Sequence, residues 1–230
     1  RADDILLDTT QNENISIDDI SPLLLKDYLT KIDSRLAKAN FATDIETILD
    51  QMQLYDGPKE KRIIKNVAAM MFSEHPEKFF PTTQVDIVVF PKGREVDPEN
   101  FIEVPPIKGP VPMMIRNSLE YLRTNIIKER ITKPTDDERS LKVFNYPFQA
   151  LEEAVVNALY HRDYKEREPV EITIEPDRIS ILSYSGPDRS ISLESLKEAN
   201  MLRSRRYRNR RLGDFLKELD LTEGRATGIP

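Results

Sequence analysis

The chain has 230 residues, 39% hydrophobic and 32% charged, with a formal net charge of −6, a balance expected of a globular protein with room for two domains of about 100 to 150 residues. No window approaches the roughly 18 apolar residues of a membrane span, and without cysteine there are neither disulfides nor thiolate metal sites. His75 and His161 are too few for a His-rich metal site, and a reducing cytoplasm is the expected compartment. Charge is unevenly spread. Residues 1–105 hold 12 basic against 20 acidic side chains, and residues 106–230 hold 22 against 20, so any nucleic-acid contact is expected from the second half or from outside this chain. A start at Arg1 and an end at Thr227-Gly228-Ile229-Pro230 suggest a piece of a longer protein.

In chain order, Ser21-Pro22 supplies an N-cap with proline at the first helical position, and Leu25, Tyr28, Leu29, Ile32 and Leu36 recur at helical spacing. Thr43-Asp44-Ile45-Glu46 reads as a capping box for a second helix, ended by Gly57-Pro58. A third helix is expected with Ile63, Ile64, Val67, Ala68 and Met71 on one face. The period then changes: Val85 to Phe90 is a β-branched run, with Phe101 to Val104 its expected partner in a hairpin. The prolines at 105, 106, 110 and 112 and Gly109 mark a domain boundary. That gives a small helical domain with a β-hairpin over 1–108 and a second domain over 109–230.

The second domain is expected to open with a long helix carrying Ile115, Leu119, Leu122 and Ile126 on one stripe, followed by a solvated loop over 132–140. Another helix runs from about Pro147 to His161. Val170 to Ile174 and Arg178 to Leu182 alternate apolar and polar residues about the Pro176-Asp177 turn, as in a hairpin with one buried face. Helices near Leu193 to Ala199 and Leu212 to Leu219 follow, the latter with Asn209 as its N-cap. The fold class is α+β.

On the helix from Pro147, Phe148, Leu151, Val155, Ala158 and Leu159 form an apolar face, and Glu153, Asn157 and His161 follow one another at four-residue spacing on the other side. A carboxylate one turn before a carboxamide suits metal-nucleotide chemistry, since the Asn oxygen can take one octahedral Mg²⁺ position and the Glu can accept a proton from an attacking water. The same spacing is equally that of a solvated helix face. His161 at the helix end fits a dipole-compensating role, His75 a packing role, and Tyr160 and Tyr164 anchors with bonded hydroxyls.

The string Glu153-x-x-x-Asn157-Ala158-x-x-His161-Arg162-Asp163-Tyr164, with Asn145-Tyr146-Pro147 before it and the 170–183 hairpin, Ser185-Gly186, Arg208-Asn209 and Glu223-Gly224 after it, resembles the carboxy-terminal module of bacterial RecG-related, Schlafen/AlbA-type transcriptional regulators. Ser16-Ile17-Asp18-Asp19-Ile20 extends the likeness more loosely over most of the chain. The resemblance implies a divergent ATPase of the GHKL superfamily (gyrase, ninety-class heat-shock protein, histidine kinase, MutL), with an α/β sandwich fold. Glu153 would then activate water, and Asn157 would ligate Mg²⁺ beside ATP. The family's amino-terminal AlbA-like domain, the part expected to bind DNA, is not in this chain, and a homo-oligomer is expected.

Where GHKL enzymes place an Asp against adenine, this chain has Ser183-Tyr184-Ser185-Gly186-Pro187, and the later glycine box is reduced to Gly224 and Gly228 with Arg225 between them. A neutral hydroxyl gives less base selectivity than a carboxylate. Arg203, Arg205, Arg206 and Arg208 begin a run of six arginines in nine residues with no acid, which suits phosphates, a nucleic-acid backbone or plain solvation. The leading expectation is an ATP-binding regulatory module, with weak Mg²⁺-dependent hydrolysis left open. The alternatives are an ATPase-like scaffold or dimerisation module without ligand, and direct DNA binding through the arginines. A helicase motor is excluded by the lack of a G-x-x-x-x-G-K-[ST] loop.

Overall fold

A computed structural model describes residues 7–132, 148–184, 190–191 and 209–219, with side chains described except at 7, 126–132 and 190–191. The expected loop beyond Thr132 and the expected helix at 193–199 lie outside the described residues. The fold is α+β. Two compact units are built from discontinuous stretches: one from 1–80, 109–112 and 206–230, the other from 81–108 and 113–205. The chain therefore does not divide at a single point near residue 108. Among the described residues no helix is long and apolar enough to cross a membrane.

In the first unit, α1 (Pro22–Lys31) starts as its sequence dictates, with Ser21 Oγ accepting from Leu24 N and proline in the first turn. Ser16 and Asp19 bond reciprocally around a single 3-10 turn just before it. The next helix, α2 (Ile45–Gln51), has Asp44 as N-cap, but no side-chain cap bond forms there, so the capping box at 43–46 is not realised. Nor does Gly57-Pro58 end α2. Gly57 turns a short hairpin of β1 (Tyr55–Asp56) and β2 (Ile63–Ile64), at φ +88°, where a Cβ would lie 2.6 Å from the Lys61 carbonyl oxygen. Ile63 and Ile64 are thus strand rather than helix. A two-residue apolar run has no period of its own, and the pairing of Tyr55 with Ile64 decides it. The third helix, α3 (Asn66–Phe72), begins only after Lys65 and is buried along its whole length.

The last described helix, α6 (Arg210–Glu218), packs Leu212, Phe215 and Leu216 into this unit. Tyr28, Phe72 and Phe215 meet edge-on with ring centroids 5.3 to 5.7 Å apart, and the Tyr28 hydroxyl donates to Glu218. Asn209 occupies the N-cap position without a side-chain cap bond. The cap comes instead from Asp8, whose Oδ2 accepts from Leu212 N at 2.8 Å, so an acid 204 residues away supplies the negative end that a helix N-terminus attracts.

The second unit holds a five-stranded mixed sheet in the order β4-β3-β5-β6-β7, from β3 (Val85–Val89), β4 (Ile102–Glu103), β5 (Val170–Ile174), β6 (Ile179–Tyr184) and β7 (Ser190–Ile191). The β3–β4 hairpin forms as expected, but it belongs to this sheet and not to the helical unit, because β3 lies parallel to β5 with Val85 opposite Val170 and Val89 opposite Ile174. The β5–β6 hairpin is antiparallel, pairing Ile172 with Ile181. At its turn Glu175 is buried and accepts from Arg94 N and Arg178 Nε. Helix α4 (Val111–Thr132) buries Met114, Ile115, Leu119 and Leu122, and α5 (Phe148–His161) packs on β6.

Burial raises the Asp8 carboxyl above its ordinary value of 3.8, against the pull of the Leu212 and Arg211 backbone N–H groups. A raised folded value stabilises most below pH 3.8 and loses that stabilisation as pH rises through the folded value. We expect Asp8→Ala to cost about 1 to 2 kcal/mol in urea unfolding through loss of the cap, whereas Asp8→Asn keeps an acceptor for Leu212 and changes stability by about 0.5 kcal/mol or less. On acidification wild type should gain stability relative to Asp8→Asn. Equal losses for the two variants would show that the carboxylate's charge, not its acceptor oxygen, holds α6.

Candidate functional site

The polar stripe of α5 faces away from the sheet, since Leu151, Ala154, Val155, Val156, Ala158 and Leu159 are all buried. That buried face is wider than the sequence stripe suggests, and it leaves Glu153 exposed with Asn157 and His161 half-exposed. No hydrogen bond or ion pair among the described residues engages the side chain of Glu153 or Asn157. The His161 ring lies 4.5 Å from that of Tyr160 at the helix end.

The end of α5 is built by the residues that follow. A helix leaves its last four carbonyls without intrahelical partners, and here Ser183 Oγ donates to Ala158 O at 2.7 Å and Tyr164 Oη to Leu159 O at 2.6 Å. Both donors are fully buried. Asp163 N donates to Tyr184 O at 2.9 Å, and the Asp163 carboxylate accepts from Lys165 N, which closes the turn into β5. Ser183 is therefore placed under α5, with its hydroxyl proton given to the helix.

Arg162 is the residue that sequence reasoning missed. Only 1% of it is exposed. Its Nη2 donates to the carbonyls of Pro81, Thr82, Glu166 and Glu168 at 2.8 to 3.2 Å, and the guanidinium lies 4.9 Å from the centre of the Tyr164 ring. Burial lowers its pKa, opposed by Tyr164, Asp163 and Glu166. Thr82, one of its acceptors, sits at φ +53°, a strained position for a β-branched residue that persists only where its surroundings hold it. The signal in the sequence was weak, because an arginine between His161 and Asp163 has the look of a solvated position.

Of the expected site residues, α5 brings Glu153, Asn157 and His161 onto one side, and Ser183 lies beneath the helix. Gly186, Arg203, Arg205, Arg206, Arg208, Gly224, Arg225 and Gly228 lie outside the described residues. Among the described residues no group of three or more His, Asp or Glu side chains could hold a metal ion. The Asn157 carboxamide still fits Mg²⁺ that takes its remaining ligands from water and phosphate, as this ion commonly does. Ser183 fits an adenine-reading role less well, since it is buried and its proton is engaged.

No protein-family model matches the chain, and comparison with curated proteins finds no match. Among solved structures it is similar to the DIP2311 protein from Corynebacterium diphtheriae, with a TM-score of 0.57 and 18% sequence identity, over 94% of this chain and 39% of that one. The likeness speaks for the fold alone, and the chain spans well under half of that protein's length.

The two sides of α5 should respond differently to substitution. Arg162→Met leaves buried carbonyls without donors and is expected to cost about 3 kcal/mol or more, given roughly 1 to 3 kcal/mol for each group so stranded. Glu153→Gln and Asn157→Ala should stay within about 0.5 kcal/mol of wild type. Thermal and urea unfolding check this, and a loss of stability in Asn157→Ala comparable with that in Arg162→Met would assign Asn157 to the fold.

Proposed function

We propose that this chain is a nucleotide-binding regulatory module, with ATP and Mg²⁺ as its ligands, from a bacterial DNA-associated regulator of the RecG-related, Schlafen/AlbA type. The observation that carries this reading is the contrast on α5. Arg162, Tyr164 and Ser183 are spent on structure, while Glu153 and Asn157, one turn apart on the outward side, have side chains that no described contact engages. Asn157 would hold Mg²⁺ through its carboxamide oxygen, and Glu153 would accept the proton of an attacking water if hydrolysis occurs. Phosphate charge would be met by guanidinium groups from Arg203, Arg205, Arg206, Arg208 and Arg225, and by backbone N–H groups near Gly186, Gly224 and Gly228. In this reading the protein works in the cytoplasm as a homo-oligomer and reaches DNA through a domain outside this chain.

A second reading, a scaffold of ATPase-like descent that binds no nucleotide, is favoured by Ser183, whose buried hydroxyl donates to Ala158 rather than facing a base. The two separate in one experiment. Calorimetric titration with ATP, GTP, ADP and adenosine, with and without Mg²⁺, should give Mg²⁺-dependent binding of ATP that discriminates poorly against GTP. Asn157→Ala should weaken it about ten-fold, equivalent to about 1.4 kcal/mol. Binding of adenosine as tight as that of ATP, or ATP binding indifferent to Mg²⁺ and to Asn157, would overturn the assignment of these residues. No heat with any nucleotide would leave the scaffold reading.

A further inference from the structure

The sheet of the second unit has two unlike faces. Ser183 bonds to α5, so strand alternation puts Ile179, Ile181, Ile172 and Val170 on the covered face. Asp86 and Val88 of β3, Glu103 of β4, Glu171 of β5 and Leu182 and Tyr184 of β6 then share the other, and each of these six is half-exposed or exposed. The face is apolar in part, with one acid on each of β3, β4 and β5 and uncharged side chains on β6. Asp86 and Glu171 are direct partners in the parallel ladder, an arrangement in which like charges destabilise a sheet. Gln84 donates to Asp86 but brings no charge. Burial, Asp86 and Glu168 raise the Glu171 carboxyl above its ordinary 4.5, and Arg94 offsets this only in part.

Such a face favours a positive occupant. A single metal ion is a poor one, since no three of the described carboxylates gather around a common point, and nucleic acid and anionic lipid are repelled. The sequence itself carries the complement: Arg203, Arg205, Arg206 and Arg208, interleaved with Leu202 and Tyr207 and without an acid. We propose that the open sheet face of one copy receives the arginine-rich segment 202–208 of a second copy, with guanidinium groups on Asp86, Glu103 and Glu171 and the apolar side chains against Val88 and Leu182. Each chain carries both halves of this contact, so two copies that exchange segments reciprocally close as a dimer, and copies that do not form a head-to-tail chain. The contact forms without nucleotide, and because the proposed function gives the same arginines to phosphate, bound nucleotide competes with it.

Sedimentation of the full chain without nucleotide tests this by charge exchange. Wild type should self-associate at low ionic strength and dissociate as salt is added. The Asp86→Lys/Glu171→Lys variant and the Arg203→Glu/Arg205→Glu/Arg206→Glu variant should each stay monomeric alone, and an equimolar mixture should associate again, because each supplies the complement that the other has lost. The milder Asp86→Asn/Glu171→Gln variant should associate about ten-fold more weakly than wild type and serves if the reversed face does not fold. A monomeric wild type, undiminished association in the variants, or a mixture that stays monomeric would overturn the proposal; the first of these would place the arginines on their own chain or in solvent.

Discussion

A guanidinium withdrawn from water has to be given acceptors on several sides at once, and around Arg162 those acceptors are backbone carbonyls from two separate stretches of chain. Pro81 and Thr82 come just before β3, and Glu166 and Glu168 come just before β5. These are the two strands that lie parallel in the sheet. A parallel pair cannot be joined by a tight turn, and here its starting ends are gathered by one side chain at the end of α5. The carbonyl of the strained Thr82 is one of those held in this way.

The functional reading depends on the same construction. With Ser183 and Tyr164 bonded to the last carbonyls of α5 and six apolar residues pressed against the unit's interior, the helix cannot rotate about its axis without breaking both bonds. Glu153 and Asn157 are thereby held outward on a rigid element, which is where a ligand-binding pair is best placed. The string from Glu153 to Tyr164 thus joins two roles, and the residues that make it distinctive, Arg162, Asp163 and Tyr164, serve the helix end rather than the outward stripe.

The first unit shows the corresponding logic with a negative charge. Helix α6 presents N–H groups that need an acceptor, and Asp8 reaches them from the opposite end of the chain. The aromatic cluster of Tyr28, Phe72 and Phe215 joins residues from three helices. Chain ends of this kind stay ordered only where they are tied down.

Local rules account for much of what was legible in the sequence. Ser21-Pro22 starts α1, alternation marks β5 and β6, and apolar spacing finds α4, α5 and α6, because capping, turn chemistry and side-chain period act within a few residues. The outward placement of Glu153, Asn157 and His161 was legible for the same reason. Tertiary structure decided what needs a distant partner. Ile63-Ile64 became strand through Tyr55, the β3–β4 hairpin joined the sheet through β5, and α6 took its cap from Asp8 in place of Asn209. Arg162 became a buried clamp for the same cause: a charge costs too much to bury unless its acceptors are already in place, and those are set by chain separated from it by about 80 residues.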